Sequence, residues 1–267
     1  GWDYCCDGPV WALRKEQIPR GGLLHAGQVL QEGIGLPVGP TFKCIKAVRE
    51  NGFFLPFSAM IEIGRINTLE INRESPHGLY LTDGTAEILL PGKFIPEDWR
   101  AGDLLEVFCY LDHERRPVAT TQDPLITRDS FAYLQVVELT EYGAFMDWGL
   151  DKHLLAPFRE QSGKMQAGAS YVVYCYLDEK SGRLVASSRV ERFLDKEKAE
   201  LRTGEGVEVL CYRETELGYE VVVNGRHKGL VFRDQVHRSF GPGTHCVAFV
   251  KKVRKDGKLD IVLEPVG

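Results

Sequence analysis

The feature that most limits how this chain can fold is an internal repeat. Three segments share one order of features. Each has a Gly next to an apolar run, then a second apolar run, and then another Gly that is followed by two more apolar runs. The first Gly recurs in steps of 65 and 75 residues, and the second in steps of 66 and 75. The two series are Gly78, Gly143 and Gly218, and Gly102, Gly168 and Gly243. Landmarks that step together indicate three copies of one structural unit.

Each copy has the side-chain pattern of a small antiparallel barrel. In the second copy the runs FAYLQVVEL, AFMDW, SYVVYCYL and RLVASS are rich in β-branched and aromatic residues, and polar clusters separate them. Four or five such strands, with one helical turn near Phe158 to Gln161, are typical of a five-stranded OB-fold barrel. Gly143 inside a strand signal predicts a bulge or a tight bend. The sequence therefore predicts an all-β fold of three tandem OB-fold barrels.

The repeat also sets the domain boundaries. We expect the barrels at residues 60–126, 127–200 and 201–267, and the alternating charges of RVERFLDKEKAEL at 189–201 predict a solvated linker helix that ends the second. Residues 1–59 do not share the repeat, and we expect a poorly ordered N-terminal extension there. Alternatively, residues 39–54 are the closing hairpin of a worn fourth copy, since GPTFKCIKAVRENGFF resembles the end of the third.

Composition excludes several classes of protein. Because the formal net charge is -5, the chain is not uniformly basic, and any anion that it binds must be held by a local group of cations. No apolar run approaches the ~18 to 20 residues of a spanning helix, which predicts no membrane partner. The seven cysteines lack the paired spacing of a zinc ribbon or a disulfide framework, which favours a reducing cytoplasm. No phosphate loop or hydrolase motif is found, so we expect neither an enzyme nor a bound cofactor or metal.

Aromatic and basic residues recur at matching places in the copies. Single-stranded nucleic acid binds OB-fold barrels on a strand face where bases stack on rings and cations meet phosphates. In the second copy the candidates are Tyr142 and Phe145, which flank Gly143, together with Arg183. The matching candidates are His77, Tyr80 and Arg116 in the first copy, and Tyr219 and Lys258 in the third. An aromatic residue in a strand is as often a core residue, and Phe145 and Tyr80 could instead fill their barrels.

These residues carry a resemblance to a known family. YGAF followed by LDEKSGR and RLVASS resembles the RNA-binding domain first described in ribosomal protein S1. The tandem copies, with IGRINTLEINRESPHGLYL in the first and YRETELGYEVVVNGRHKGLVF in the third, resemble the bacterial conserved virulence factor B family over residues 60–267. The resemblance implies three S1-type barrels, a following winged-helix domain and an RNA-binding regulatory role. Because the chain ends at Gly267, we expect the winged-helix domain to be missing.

The resemblance also assigns site residues. The RNA face of the second copy would consist of Tyr142, Phe145, Asp178 and Arg183. The chain departs from the S1 pattern where a His usually follows the third strand, since Pro91, Pro157 and Phe232 occupy that place. In the third copy, Val253 replaces the closing Asp and Lys258 replaces the Arg.

Charge changes sign along the repeats. The net charge is -6 over residues 61–126, -2 over residues 127–200 and +2 over residues 201–267. The basic candidates of the third copy lie on its closing hairpin and on the strand expected beside the binding face. They are Lys251, Lys252 and Lys258, and Arg226, Lys228 and Arg233. Charge runs are usually solvated, but this gradient predicts that RNA affinity is weakest in the first copy and depends most on the third.

The sequence thus predicts a single-stranded RNA-binding protein with a regulatory role in gene expression. Two alternatives remain open at this stage. The barrels could be protein-interaction modules, or they could be the RNA-holding appendage of an RNA-processing enzyme. Single-stranded DNA is a further partner that stacking would accept, because base stacking tolerates either sugar.

Overall fold

The computed structural model describes residues 44–45, 60–112, 114–236 and 239–265. Every element in these ranges is a β-strand or a three-residue 3-10 turn, which confirms the all-β prediction. The 3-10 turns are Gly92–Phe94, Phe158–Glu160, Val190–Arg192 and Arg233–Gln235. None of the described helical turns has the length or the apolarity that a membrane crossing requires.

Three groups of five strands follow one another along the chain. The first barrel consists of β2 (Ile66–Ser75), β3 (Gly78–Thr82), β4 (Glu87–Pro91), β5 (Leu104–Leu111) and β6 (Pro117–Thr120). The second consists of β7 (Ser130–Thr140), β8 (Gly143–Met146), β9 (Leu154–Pro157), β10 (Ser170–Asp178) and β11 (Arg183–Ser187). The third consists of β12 (Gly206–Glu214), β13 (Gly218–Val223), β14 (His227–Phe232), β15 (His245–Val253) and β16 (Leu259–Val262). A short β1 (Cys44–Ile45) precedes them.

Strand order identifies the architecture. The third barrel is closed in the order β12-β13-β14-β16-β15, with β14 parallel to β16 and the other neighbours antiparallel. A meander of three strands whose third strand pairs in parallel with the fifth is the order of an OB-fold barrel. The first barrel repeats it, since Leu89 of β4 pairs in parallel with Val118 of β6, which also pairs with β5.

The second barrel differs from the third in that its hydrogen-bonded ladder is open. Its hydrogen-bonded order runs β11-β10-β7-β8-β9 and has no pairing between β9 and β11. The end of β11 instead bonds to the turn after β9, because Ser188 donates its backbone N–H and Ser187 its hydroxyl to the carbonyl of Glu160. Side chains of both strands, such as Ala156 and Ala186, still share one buried cluster. Side-chain packing therefore holds β9 and β11 together, although no sheet hydrogen bonds pair these two strands.

Side chains that alternate along the strands fill each interior. The cysteines at matching places in the first two barrels, Cys109 and Cys175, are fully buried. Burial raises the pKa of both thiols to about 12, so neither forms a thiolate at neutral pH. Both therefore act as small core residues.

A bulge recurs in all three barrels, whereas Gly143 lies at a tight bend, the other predicted possibility, since it pairs with Thr140 across a two-residue turn. The bulge lies on the first strand of each, between Ile71 and Arg73, between Val136 and Glu138, and between Cys211 and Arg213. Gly143 instead pairs regularly with Pro157 and has a φ of 146°. A Cβ at this position would overlap the carbonyl oxygen of Ala156. Glycine is thus required by close strand approach and by backbone conformation, and not by a bulge.

The expected linker helix over 189–201 forms only the 3-10 turn Val190–Arg192. The backbone N–H of Asp195 donates to the carbonyl of Arg226 in the third barrel, which replaces the bond that would continue a helix. Val190 and Leu194 are buried in a cluster with Val172 and Val222, so the segment is a packed joint and not a solvated helix.

Part of the N-terminal prediction can be compared with the structure. Cys44 and Ile45 form β1, which pairs with Leu105 and Leu104 of β5, so this piece of the expected poorly ordered extension adds a strand to the first barrel. The remainder of residues 1–59, including the rest of the possible fourth-copy hairpin at 39–54, lies outside the described residues.

Neighbouring barrels share apolar contacts. Phe108, Tyr110 and Val118 of the first barrel belong to the buried cluster of the second. The Phe108 ring meets Trp148 edge to face at 5.6 Å between ring centroids, and Arg65 donates to Asp129 at 2.6 Å beside them. The outer side of β5 is therefore buried against the second barrel.

We expect the substitution Gly143→Ala to destabilise the second barrel by about 2 kcal/mol or more, because the new methyl group meets a carbonyl oxygen and φ is positive. Urea unfolding of the purified chain measures the change. Gly163→Ala is the matched control, since no atom lies within 4 Å of the added Cβ. Equal losses of stability in the two variants would contradict the packing argument.

Candidate nucleic-acid interface

The rings of Tyr80 and Phe145 lie on the outer face of their barrels. Phe145 is half-buried, whereas Ala144 and Met146 on either side are fully buried in the core. Tyr80 alternates in the same way between Leu79 and Leu81. Successive residues of a strand point to opposite sides, so neither ring fills a barrel interior.

Tyr219 does not lie at the matching place that the sequence suggested. It follows Gly218 directly, whereas Tyr80 and Phe145 each come two residues after their glycine, so Tyr219 lies on the opposite face. The structure pairs Tyr219 with the buried Val231 and packs its ring edge to face on Phe240 at 5.3 Å. Glu220 takes the outer position in the third barrel, in register with Leu230.

The residue before each glycine is exposed in all three barrels. These residues are His77, Tyr142 and Leu217. The Tyr142 side chain is 66% exposed and Leu217 is 70% exposed, so only the second barrel presents a free phenol ring here. Val137, Leu139 and Phe158 of the same barrel are exposed as well. We call the set of exposed or half-buried side chains Val137, Tyr142, Phe145 and Phe158 the second-barrel platform.

A cation already covers the outer ring of the first barrel. The guanidinium carbon of Arg73 lies 3.8 Å from the Tyr80 ring centroid, and an Arg73 nitrogen lies 2.8 Å from Glu87 Oε2. The residue opposite Phe145 is Glu138, and the residue opposite Glu220 is Arg213. In each barrel, the first-strand residue at this position, which is Arg73, Glu138 or Arg213, therefore determines the charge next to the outer residue of the second strand.

Asp178 stabilises the turn that follows it by accepting hydrogen bonds. It accepts hydrogen bonds from the backbone N–H of Ser181 at 3.2 Å, from the Ser181 hydroxyl at 2.7 Å and from Arg159 at 3.2 Å. These bonds, first of all that of the Ser181 hydroxyl, hold the pKa of Asp178 below its ordinary value. Arg183 is exposed and opens β11 in register with Asp178.

The first barrel uses the same turn arrangement. Arg116 forms ion pairs with Asp112 at 2.8 Å and with Glu114 at 2.7 Å, and Asp112 also accepts two backbone N–H groups of the turn. His77 is exposed in the turn that precedes β3, the strand that carries Tyr80. Arg116 is therefore engaged locally in the structure.

Most of the candidate cations in the third barrel are paired with carboxylates. The pairs are Arg226 with Asp195 at 3.1 Å, Lys228 with Glu191 at 2.6 Å and Glu220 at 2.8 Å, Arg233 with Glu214 at 2.9 Å, and Lys258 with Asp256 at 3.4 Å. Lys251 and Lys252 are exposed, and no carboxylate of the described ranges lies within 4.0 Å of their ammonium groups. The positive balance of this copy is thus largely neutralised where the binding face was expected.

Glu191 of the joint is the centre of this pairing, and the sequence analysis missed it as a site residue. Its Oε1 accepts from Lys228 and, at 2.7 Å, from Arg213 of β12. The Lys228 hydrogen bond lowers the pKa of Glu191, although burial opposes the shift. Lys228 and Arg213 also overcome burial to lower the pKa of Glu220. The joint therefore places a carboxylate on the outer face of the third barrel.

A comparison with known families agrees with the geometry of the first barrel. Residues 63–122 match the S1 domain family. The matched range is the first barrel. The uncharacterized protein YitL of Bacillus subtilis (strain 168) is 28% identical over 223 residues, which are 76% of this chain and 70% of YitL. Membership of the whole chain in the conserved virulence factor B family stays a prediction.

Two solved structures are also similar. One is a multidomain protein with nucleic acid binding domains from Streptococcus pneumoniae, with 18% identity and a TM-score of 0.43, covering 77% of this chain and 75% of that one. The other is the CSD456 segment of Drosophila Unr, with 13% identity and a TM-score of 0.20, covering 76% of this chain and 98% of that one.

We expect Glu191→Gln to lower the stability of the chain by about 1 kcal/mol at neutral pH, because Lys228 and Arg213 lose a shared anionic partner. The folded pKa of Glu191 lies below its ordinary 4.5, so its contribution is present above that value and is lost as the pH falls through the folded pKa. The difference between wild type and variant should therefore shrink in acid, which thermal unfolding from about pH 7 to about pH 3 measures.

Glu197→Gln is the control for charge loss in the same segment. Its side chain is exposed, and no cation of the described residues forms an ion pair with it. A destabilisation by Glu191→Gln that is the same at all these pH values would show that the carboxylate charge is not responsible.

Proposed function

We propose that this protein binds single-stranded RNA and that binding serves a regulatory role in gene expression. The observation that carries the proposal is the second-barrel platform, where the exposed Tyr142 ring and the outward Phe145 ring lie on adjoining positions around Gly143. A base can stack on such rings whatever its identity. The match of the first barrel to the S1 domain supports the same class of ligand.

The proposal assigns different tasks to the barrels. The first two present outward rings, Tyr80 and Phe145, whereas the third presents Glu220 at the corresponding position. We therefore propose that bases stack on the second barrel, whereas the first contributes Arg73, which covers its Tyr80 ring. The third contributes cations from its closing hairpin, where Lys251 and Lys252 are exposed. This revises the expectation that the third copy dominates binding.

The paired arginines remain usable by a phosphate. An exposed ion pair contributes only ~0 to 1 kcal/mol, so a phosphate can replace the carboxylate at small cost. Arg73 is of this kind, since half of its side chain is exposed beside the Tyr80 ring. Lys228 is not, because it is mostly buried between Glu191 and Glu220. Arg73 is thus the better phosphate contact.

We propose binding and not catalysis. The thiols that recur in the repeat, Cys109 and Cys175, are buried and have a raised pKa, which does not suit a nucleophile. Asp178, the recurring carboxylate, is committed to the hydrogen bonds of its turn. The regulatory part of the proposal rests on the resemblance to the conserved virulence factor B family.

A protein ligand is the second candidate. The observation that favours it is the number of exposed apolar side chains in the second barrel, where Val137, Leu139 and Phe158 are exposed as well as Tyr142. Contiguous exposed apolar groups are typical of protein-binding surfaces as well. Such a partner would bind without the steep salt dependence of a polyanion.

We expect Tyr142→Ala to weaken binding of a single-stranded oligouridylate about tenfold, because one stacking contact is lost. Leu217→Ala is the matched control, since Leu217 occupies the same position in the third barrel and is equally exposed. Fluorescence anisotropy at several salt concentrations measures both the affinity and its salt dependence.

Two outcomes would count against this function. If wild type binds no RNA or single-stranded DNA at about 50 mM salt, nucleic-acid binding is wrong. If the affinity is the same for Tyr142→Ala and Leu217→Ala, the platform is not the contact. Preference for RNA over the DNA of the same sequence tests the sugar specificity in the same assay.

A further inference from the structure

A groove of about 580 Å³ lies where the second barrel meets the third. Residues of β7 and β10 form one wall, the segment after β11 forms the floor, and the end of β12 with Pro242 forms the other wall. Its volume falls within the ~300 to 1,000 Å³ that is usual for sites that bind small organic groups. Its lining combines tyrosine rings, arginines and serines.

Two tyrosine rings of the groove are held in place. A Cβ on Gly243 would overlap the Tyr133 ring, so this ring lies against the backbone of the third barrel, yet the residue is 44% exposed. The Tyr171 hydroxyl accepts the backbone N–H of Gln166 at 3.0 Å, which fixes the second ring. A ring already held in position loses little conformational freedom when a base stacks on it.

The arginines of the groove are not equivalent. Arg192 is bound to Glu160 at 3.1 Å, and Arg213 is bound to Glu191 at 2.7 Å. Arg189 is exposed, and no carboxylate within the described parts of the chain comes within 4.0 Å of its guanidinium. Its uncompensated charge favours an anion at the mouth of the groove.

The groove is continuous with the second-barrel platform along one strand. Tyr133, Gln135 and Val137 of β7 are exposed, whereas Leu134 and Val136 between them are buried. The distance along the strand from Val137 to Tyr133 is about 13 Å. That span is only part of the site of a whole OB-fold barrel, which holds about 4 to 16 nucleotides.

We propose that the groove binds one unpaired nucleotide, with its base stacked on Tyr133 and its phosphate beside Arg189, where a bound strand leaves the second-barrel platform. This site rests on the proposed function, and it extends the binding path to the joint between the second and third barrels. Glu191 keeps Arg213 occupied, which leaves Arg189 as the phosphate contact.

The test uses the full chain, a labelled oligouridylate of about 12 nucleotides, and uridine monophosphate. Tyr133→Ala should weaken oligouridylate binding about tenfold, and Tyr133→Phe should keep it, because only the ring stacks. Arg189→Ala should lower the slope of log affinity against log salt by about 0.7, the value for one phosphate of a single strand. Arg202→Ala, an exposed arginine away from the groove, should leave that slope unchanged.

Photo-crosslinking of wild type supplies a measurement that does not depend on a variant that folds. An oligonucleotide that contains 4-thiouridine should crosslink to Tyr133 or Tyr171, with the crosslinked residue itself located by fragmentation of the peptide, because Tyr133 and Tyr142 lie on one stretch without Lys or Arg. Crosslinks confined to the platform residues Val137, Tyr142, Phe145 and Phe158 would overturn the groove assignment.

The outcomes separate this inference from the proposed function. If Tyr133→Ala and Arg189→Ala bind as wild type while Tyr142→Ala is weakened, the groove is not on the path and the proposed function stands. If wild type does not bind the oligouridylate, both are wrong. If uridine monophosphate binds as tightly as the oligouridylate, the groove takes a free nucleotide and the assignment to a strand is wrong.

Discussion

The alternation of side chains across a barrel wall governs both the fold and the site of this protein. A step of one residue moves a ring from the solvent to the core, as the contrast between Tyr80 and Tyr219 shows. The same alternation buries Cys109 and Cys175 while it turns Phe145 outward. Because the interior needs apolar residues at every second position, each strand has only the other positions left for function.

Tandem repeats with the same fold need not keep the same free surface. The first barrel gives the outer side of β5 to its neighbour, where Phe108 and Tyr110 are buried. The third barrel gives part of its outer face to the joint, where Val222 packs on Val190. Contacts between neighbouring barrels therefore bury different surfaces in each copy. The outer aromatic face of the second barrel is the one that stays most exposed.

Much of the fold follows from the sequence, because strand period, turn residues and repeat spacing are local properties. The burial of the cysteines and the 3-10 turn at Phe158–Glu160 were both predictable in this way. The joint was not, since the backbone bond from Asp195 to Arg226 is a contact between elements. The contact between the first and second barrels did leave a signal in the sequence. The unbroken apolar run Val107–Tyr110 lacks the alternation of a strand with one free side, and both of its faces are buried.

The open seam of the second barrel has a mechanical consequence. Sheet hydrogen bonds hold β4 to β6 and β14 to β16, but between β9 and β11 only side-chain packing and the contacts of Glu160 resist separation. Local opening costs least where the fewest ladder bonds must break. We therefore expect local opening of the second barrel along this line to break fewer ladder bonds than opening of either neighbouring barrel.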